Sequence, residues 1–175
     1  MIAAPTLTTP RLTLRPHIAE DFDAYAALMM SDRAVHMDGP YDLFGAWRNF
    51  ASDVAQWGLY GSGALAVVNS ETGDVVGQVG LNRIPPYPEA ELGWQLYEGY
   101  EGKGYMTEAA QAFRDWCYET QGLPSLVSYI DPANTRSIAL AERLGAWRDE
   151  GAAIPESDDL DFCHVYRHPM PEVRQ

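Results

Sequence analysis

The chain has 175 residues, 46% of them hydrophobic and 21% charged, with a formal charge of −13. That balance excludes a nucleic-acid surface, which needs clustered lysine and arginine to neutralise phosphates. Two distant cysteines with no CxxC exclude a disulfide framework or a structural zinc site, and no apolar stretch nears the ~20 residues that cross a bilayer.

The length predicts one domain over residues 1–175, with a full core. MIAAPTLTTPRL lacks the basic-then-apolar pattern of a secretory leader, so a cytoplasmic protein is expected. The acidic excess suits a cationic or amine substrate as well as a plain soluble surface. Arg11–Arg15 alternates as a short strand with Leu12 and Leu14 on one face, ended by Pro16. Ala19–Met30 then repeats apolar residues at helical spacing through Phe22, Tyr25, Leu28 and Met29. Ser31–Pro40 reads as a loop. A second helix is expected from Asp42 to Trp57, with Leu43, Trp47, Phe50, Val54 and Trp57 on its buried stripe and Gly58 breaking it. Phe44 is expected to join these aromatics in the core.

Ala64–Asn69 and Val75–Ile84 read as strands of an antiparallel hairpin around Glu71-Thr72-Gly73-Asp74. A stiff Pro85-Pro86-Tyr87-Pro88 link follows. Glu91–Leu96 alternates as ELGWQL and runs into Gly99 and Gly102-Lys103-Gly104. A helix from Tyr105 to Thr120 comes next, with Ala109, Phe113, Trp116 and Cys117 on its apolar stripe, and Gly122 and Pro124 stop it. Leu126–Ile130 is a short apolar strand. Asp131-Pro132 opens a helix that runs to Leu144 and closes at Gly145. Ala146–Ala153 and Asp159–His168 read as a final strand pair joined by the acidic loop Glu156–Asp161. A helix between Glu91–Leu96 and Leu126–Ile130 implies a parallel crossover beside an antiparallel meander. The class is α+β, with a mixed, mostly antiparallel central sheet and helices on both faces.

Strand, glycine turn and helix start aim backbone N–H groups and the positive end of a helix dipole at one point, which suits a phosphate or pyrophosphate. Two readings of this turn compete. The first is a dinucleotide site in an NAD-binding oxidoreductase: Gly102-Lys103-Gly104 and Thr107 spell G-x-G-x-x-T, and Asp131 ends the next strand. Against it, the third glycine is absent and the preceding strand alternates where a central parallel strand would be apolar on both faces. The second is an acyl-CoA site. YEGKGYMTEA, with ELGWQL before it and NTRSIALAERLGA after it, resembles the GNAT superfamily of N-acetyltransferases, and within it the RimJ/RimL-like branch. The resemblance runs from TPRLTLRP to the final strand.

That resemblance implies that acetyl-CoA is the co-substrate and a primary amine the acceptor, in the RimJ/RimL-like branch a protein N-terminus. It matches Glu101–Met106 to a Q/R-x-x-G-x-G/A pattern whose main chain holds the CoA pyrophosphate. Gly104 keeps the pattern, while Glu101 and Met106 depart from it. Gly102, Lys103, Tyr105 and Thr107 complete the implied cofactor loop. The strand around Trp94 and Leu96 is implied to splay from its neighbour and offer its main-chain edge to the pantetheine arm. Glu91, beside that splay, is the candidate general base. Asn134 matches a position that contacts the arm or an ordered water, although it could equally cap a helix. Ser137 is the candidate acid toward the thiolate, because in this branch a serine near here contacts the cofactor; Ala141 departs from the family, standing where many members carry a tyrosine acid. Asp38 and Tyr41 fall in a region that family members use for acceptor choice. A monomer and a homodimer are equally consistent, and a CoA-binding sensor without turnover is the alternative from another class. His17, His36, His164 and His168 form no HExxH, so no metal site is expected.

Overall fold

The computed structural model describes residues 4–155 and 163–171. Eight strands form one sheet in the order β1-β2-β3-β4-β5-β6-β8-β7. They are β1 Leu7–Thr8, β2 Leu12–Pro16, β3 Ala64–Asn69, β4 Val75–Asn82, β5 Glu91–Leu96, β6 Val127–Ile130, β7 Trp147–Arg148 and β8 His164–Arg167. Every pairing is antiparallel except β5 with β6. The mixed α+β sheet is therefore as the sequence predicts, and no doubly wound parallel core surrounds the glycine turn.

Among the described residues four α-helices cover the sheet: α1 Phe22–Met29, α2 Leu43–Tyr60, α3 Tyr105–Gln121 and α4 Thr135–Arg143. Strand alternation sorts the core into two layers. Leu12, Leu14, Leu65, Val67 and Leu92 face α3, where Ala109, Phe113 and Cys117 are fully buried. On the opposite face, Tyr25 and Met29 of α1 pack with Phe50 of α2 and with Tyr97 after β5. Each large side chain so buried contributes roughly 1.5–3 kcal/mol. None of the helices described is long and apolar enough to cross a membrane.

Several boundaries differ from expectation for local reasons. Ser31–Pro40 is not plain loop, because a 3-10 helix runs over Asp32–Met37 with Ser31 accepting the Arg33 N–H. Gly58 does not end α2, since the helix continues to Tyr60 and stops at Gly61, whose φ of 66° terminates it. Leu43, Phe44 and Trp47 are 58%, 65% and 47% exposed rather than core, because Ala46 is the residue of these turns buried in the α1 layer and Trp47 meets α1 edge-on at Phe22. β1 was not legible as a strand, being two residues long. The closing strands pair as predicted, but only over Trp147–Arg148 and His164–Arg167. The predicted acidic loop Glu156–Asp161 lies outside the described residues.

Candidate active site

The site grows from a fork between two parallel strands. β5 and β6 share one register pair, Glu91 with Val127. The Val127 N–H donates to Ala90 and the Tyr97 N–H donates to Val76 of β4. Even-numbered residues of β5 therefore turn their main chain toward β6, and odd-numbered ones toward β4. At the base of the fork the Ser128 hydroxyl donates to the Leu92 carbonyl at 2.5 Å, where a ladder bond would otherwise run. Ser128 also meets His168 Nε2 at 2.9 Å. With its proton committed to Leu92, Ser128 accepts from His168, which burial and the nearby Arg114 charge push down to about 4 and hold neutral. Beyond Leu92 no strand among the described residues pairs with the β6-facing side of Trp94, and at Leu96 the carbonyl accepts from Arg33 instead, at 3.0 Å. The splay of these two strands is the one that the resemblance implies around Trp94 and Leu96.

At the open end of β5 the chain turns through Gly99, Gly102 and Gly104, with φ of 87°, 74° and 75°. L side chains avoid this region, and glycine enters it freely. A Cβ on Gly99 or Gly102 would meet nothing within 4 Å, so the loop's outer surface is open. Gly104 is the cap of α3 and offers no side chain to its first N–H groups. Tyr105, Met106 and Thr107 thus begin α3 with its positive end facing the turn. Glu101 does not aim a bare carboxylate at this point. Arg33 holds it at 2.6 Å, and it also accepts the Gly99 N–H at 2.9 Å. The Met106 side chain is buried, and the missing side chain of Gly77 makes room for it. Met106 can serve a ligand only through its main chain. The Lys103 ammonium lies 5.3 Å from the Tyr100 ring.

The opposite face of β5 is polar. Glu91 stands in register with Asn82 of β4, whose Nδ2 donates to its carboxylate at 2.6 Å. Burial pushes Glu91 up to about 7, against the pull of Asn82 and the Tyr129 N–H and helped by the charge of Asp53. No lysine or arginine pairs with it among the described residues. The Tyr87 hydroxyl is pushed up chiefly by Glu91, then by burial and by the charges of Asp38 and Asp53. Tyr87 packs against Tyr129 at 5.5 Å.

Other predicted residues divide. Asn134, not Asp131, caps α4: its Oδ1 accepts the Ser137 N–H at 3.1 Å, and α4 starts at Thr135. Asp131 instead turns back onto the Ala133 N–H and binds His36 at 2.6 Å. Ser137 sits in the first turn of α4, partly buried. Asp38 ends the 3-10 helix at φ 62°, and the Tyr41 hydroxyl donates to the Met37 carbonyl at 2.8 Å, so both belong to the segment entering α2. Sequence reasoning missed Asn82, Asp53, Ser128, His168 and Arg33. Only Asn82 left a signal, because Gln78, Gly80 and Asn82 alternate on one face of the strand VVGQVGLN.

Comparison with known proteins agrees with this geometry. A family model described as an acetyltransferase (GNAT) domain matches residues 11–146. The chain is 29% identical over 150 residues to an uncharacterized N-acetyltransferase p20 of Bacillus licheniformis, covering 83% of this chain and 84% of that one. It resembles the crystal structure of an acetyltransferase from Agrobacterium tumefaciens, with a TM-score of 0.88, 49% identity and 97% of each chain covered. A structure of RimL, a ribosomal L7/L12 alpha-N-protein acetyltransferase, shares the fold at a TM-score of 0.72 and 17% identity, over 94% of this chain and 93% of that one.

Proposed function

The chain belongs to the GNAT acetyltransferase family, and on that premise we propose that residues 1–175 form one domain that moves an acetyl group from acetyl-CoA to a primary amine by direct attack in a ternary complex. The observation that carries this reading is the fork, with an unpaired main-chain edge on one side and Glu91 at its base. The glycine turn fits a pyrophosphate, being open outside and backed by an α3 start with no capping side chain. Gly102, Lys103, Gly104, Tyr105 and Thr107 would hold it through main-chain N–H groups. Trp94 and Leu96 would extend a ladder to the pantetheine amides.

When bound, acetyl-CoA supplies the thioester. Glu91 does the chain's chemistry at the amine. A carboxylate near 7 takes a proton at neutral pH far better than an ordinary one, while still ionising. As the amine nitrogen bonds to the acyl carbon, Glu91 accepts its proton, directly or through one water. The sulfur leaves and is protonated, with Ser137 the candidate donor. The RimJ/RimL-like motifs suggest a protein N-terminus as one acceptor, and a small amine is the other.

The test is thermal stability with acetyl-CoA, CoA or NAD, followed by thiol release with amine acceptors. A ligand at ~100 times its dissociation constant stabilises the fold by about 2.7 kcal/mol. The expected result is a shift with both CoA forms, none with NAD, and amine-dependent thiol release. A CoA shift without release for any amine would make the chain a sensor. A shift with NAD alone would overturn the reading.

A further inference from the structure

Glu91 is not the only carboxylate on its face of the sheet. Asp53, on α2, accepts from Gln78 Nε2 at 2.9 Å and from the Tyr25 hydroxyl. Burial pushes it up to about 6 despite both bonds, and no cation pairs with it among the described residues. Between Asp53 and Glu91 runs a strip of β4 and β5 floored by the register pair Gly80 and Gly93. A Cβ on Gly93 would touch the two polar atoms Asn82 Nδ2 at 3.8 Å and Glu91 Oε2 at 3.9 Å and nothing else within 4 Å, while one on Gly80 would touch Ala64 at 3.6 Å, so the polar end of the floor is the Gly93 half. Gln56 of α2 walls it. This side chain is 4% exposed, donates to Asn82 Oδ1 at 3.1 Å, and leaves its own Oε1 without a partner. Gln95 Oε1 is unpartnered as well.

Two carboxylates and the unmet amide carbonyls of Gln56, Gln78 and Gln95 thus lie along one strip, and no lysine or arginine bonds to either carboxylate among the described residues. Buried acceptors in this state call for a ligand that donates hydrogen bonds and brings positive charge. We propose that the strip is an acceptor subsite for small amines carrying a second cationic nitrogen, with the reacting nitrogen beside Glu91 and the distal ammonium on Asp53. The place of the reacting nitrogen rests on the transfer reading, whereas the ammonium site on Asp53 does not. Asp53 and Glu91 are bonded to Gln78 and Asn82, four residues apart on β4, which allows a span of up to about 13 Å. A short α,ω-diamine fits that reach. An acceptor with a carboxylate beside its amine would be repelled.

The test is calorimetric titration of cadaverine and its single-amine analogue pentylamine into the full chain, with and without CoA, for the native protein, Asp53→Asn and Asp53→Glu. Circular dichroism confirms that each variant is folded. Cadaverine should bind about tenfold or more tightly than pentylamine. Asp53→Asn should erase that ratio, and Asp53→Glu should keep part of it. Equal or undetectable binding of the two amines by the native chain overturns the proposal, as does a preference that survives Asp53→Asn. Acetylation assays on the same samples separate the two readings. Asp53-dependent cadaverine binding without transfer removes the transfer reading alone. Transfer to both amines with no part for Asp53 removes the subsite alone.

Discussion

The two flanks of β5 are built to opposite ends. Toward β4 the ladder is complete, from Gly77 with Leu96 to Asn82 with Glu91. Toward β6 it closes at a single pair, and side chains take the carbonyls that a partner strand would have taken. The paired flank fixes where Glu91 stands, because Asn82 reaches it only through register. The unpaired flank supplies main-chain groups that a ligand can use. A sheet ordinarily hides such an edge, since free N–H and C=O groups invite unwanted pairing. Here the edge is interior, lined by Ser128 and Arg33, and so reserved for something that enters the fork.

Substitutions on either flank can break this contrast. The largest effect belongs to Glu91→Gln, which should lower kcat/KM by about 10²- to 10³-fold and remove the inflection near pH 7 from the pH–rate profile. In the native protein activity should rise as pH passes through about 7, because only the ionised carboxylate accepts a proton. Stability should run the other way. The folded state holds this proton to higher pH than the unfolded chain, so the group's contribution is full below about 4.5 and lost as pH rises through about 7. Glu91→Gln should therefore raise the melting temperature at about pH 8 and not at about pH 4, which scanning calorimetry would show.

Next comes Gly77→Ala on the closed flank. Its Cβ would collide with the Gln95 main-chain oxygen and sit 2.9 Å from Met106 Cε. Urea unfolding should show a loss of about 1–3 kcal/mol. Ser128→Ala on the open flank strips a donor from the Leu92 carbonyl and an acceptor from His168, both buried. We expect a loss of about 1–2 kcal/mol in the same assay and a raised KM for acetyl-CoA as the fork loses its wedge. Arg33→Ala should be mildest, a few-fold weaker CoA affinity that grows at low salt, because Glu101 would then face a pyrophosphate unneutralised.

What the sequence made legible was local. The alternation of ELGWQL, the glycines after it and the start of α3 at Tyr105 all follow from neighbours in the chain. So does Glu91, which begins the strand that runs into the turn. The opaque parts were pairings across the fold. That Glu101 is neutralised depends on Arg33, and that the fork stays open depends on Ser128 reaching Leu92. Nothing near either residue in sequence announces its partner. Asn134 shows a subtler limit, since a capping residue and a ligand-binding residue are the same residue type at the same spacing, and only the hydrogen bond to Ser137 identifies the cap. Trp47 shows the converse: a helical stripe says which face is apolar, not how far the neighbouring layer extends over it.

The 3-10 helix over Asp32–Met37 holds each prong of the fork by one side chain: Arg33 grips the end of β5 and the glycine turn, and His36 grips Asp131 just past β6. One rigid turn therefore sets the gap as a strut sets the distance between two beams. The entropy of holding the strands apart is spent when the chain folds. Little conformational freedom is left for a ligand to remove on entry, so its contacts go into affinity rather than into ordering the protein.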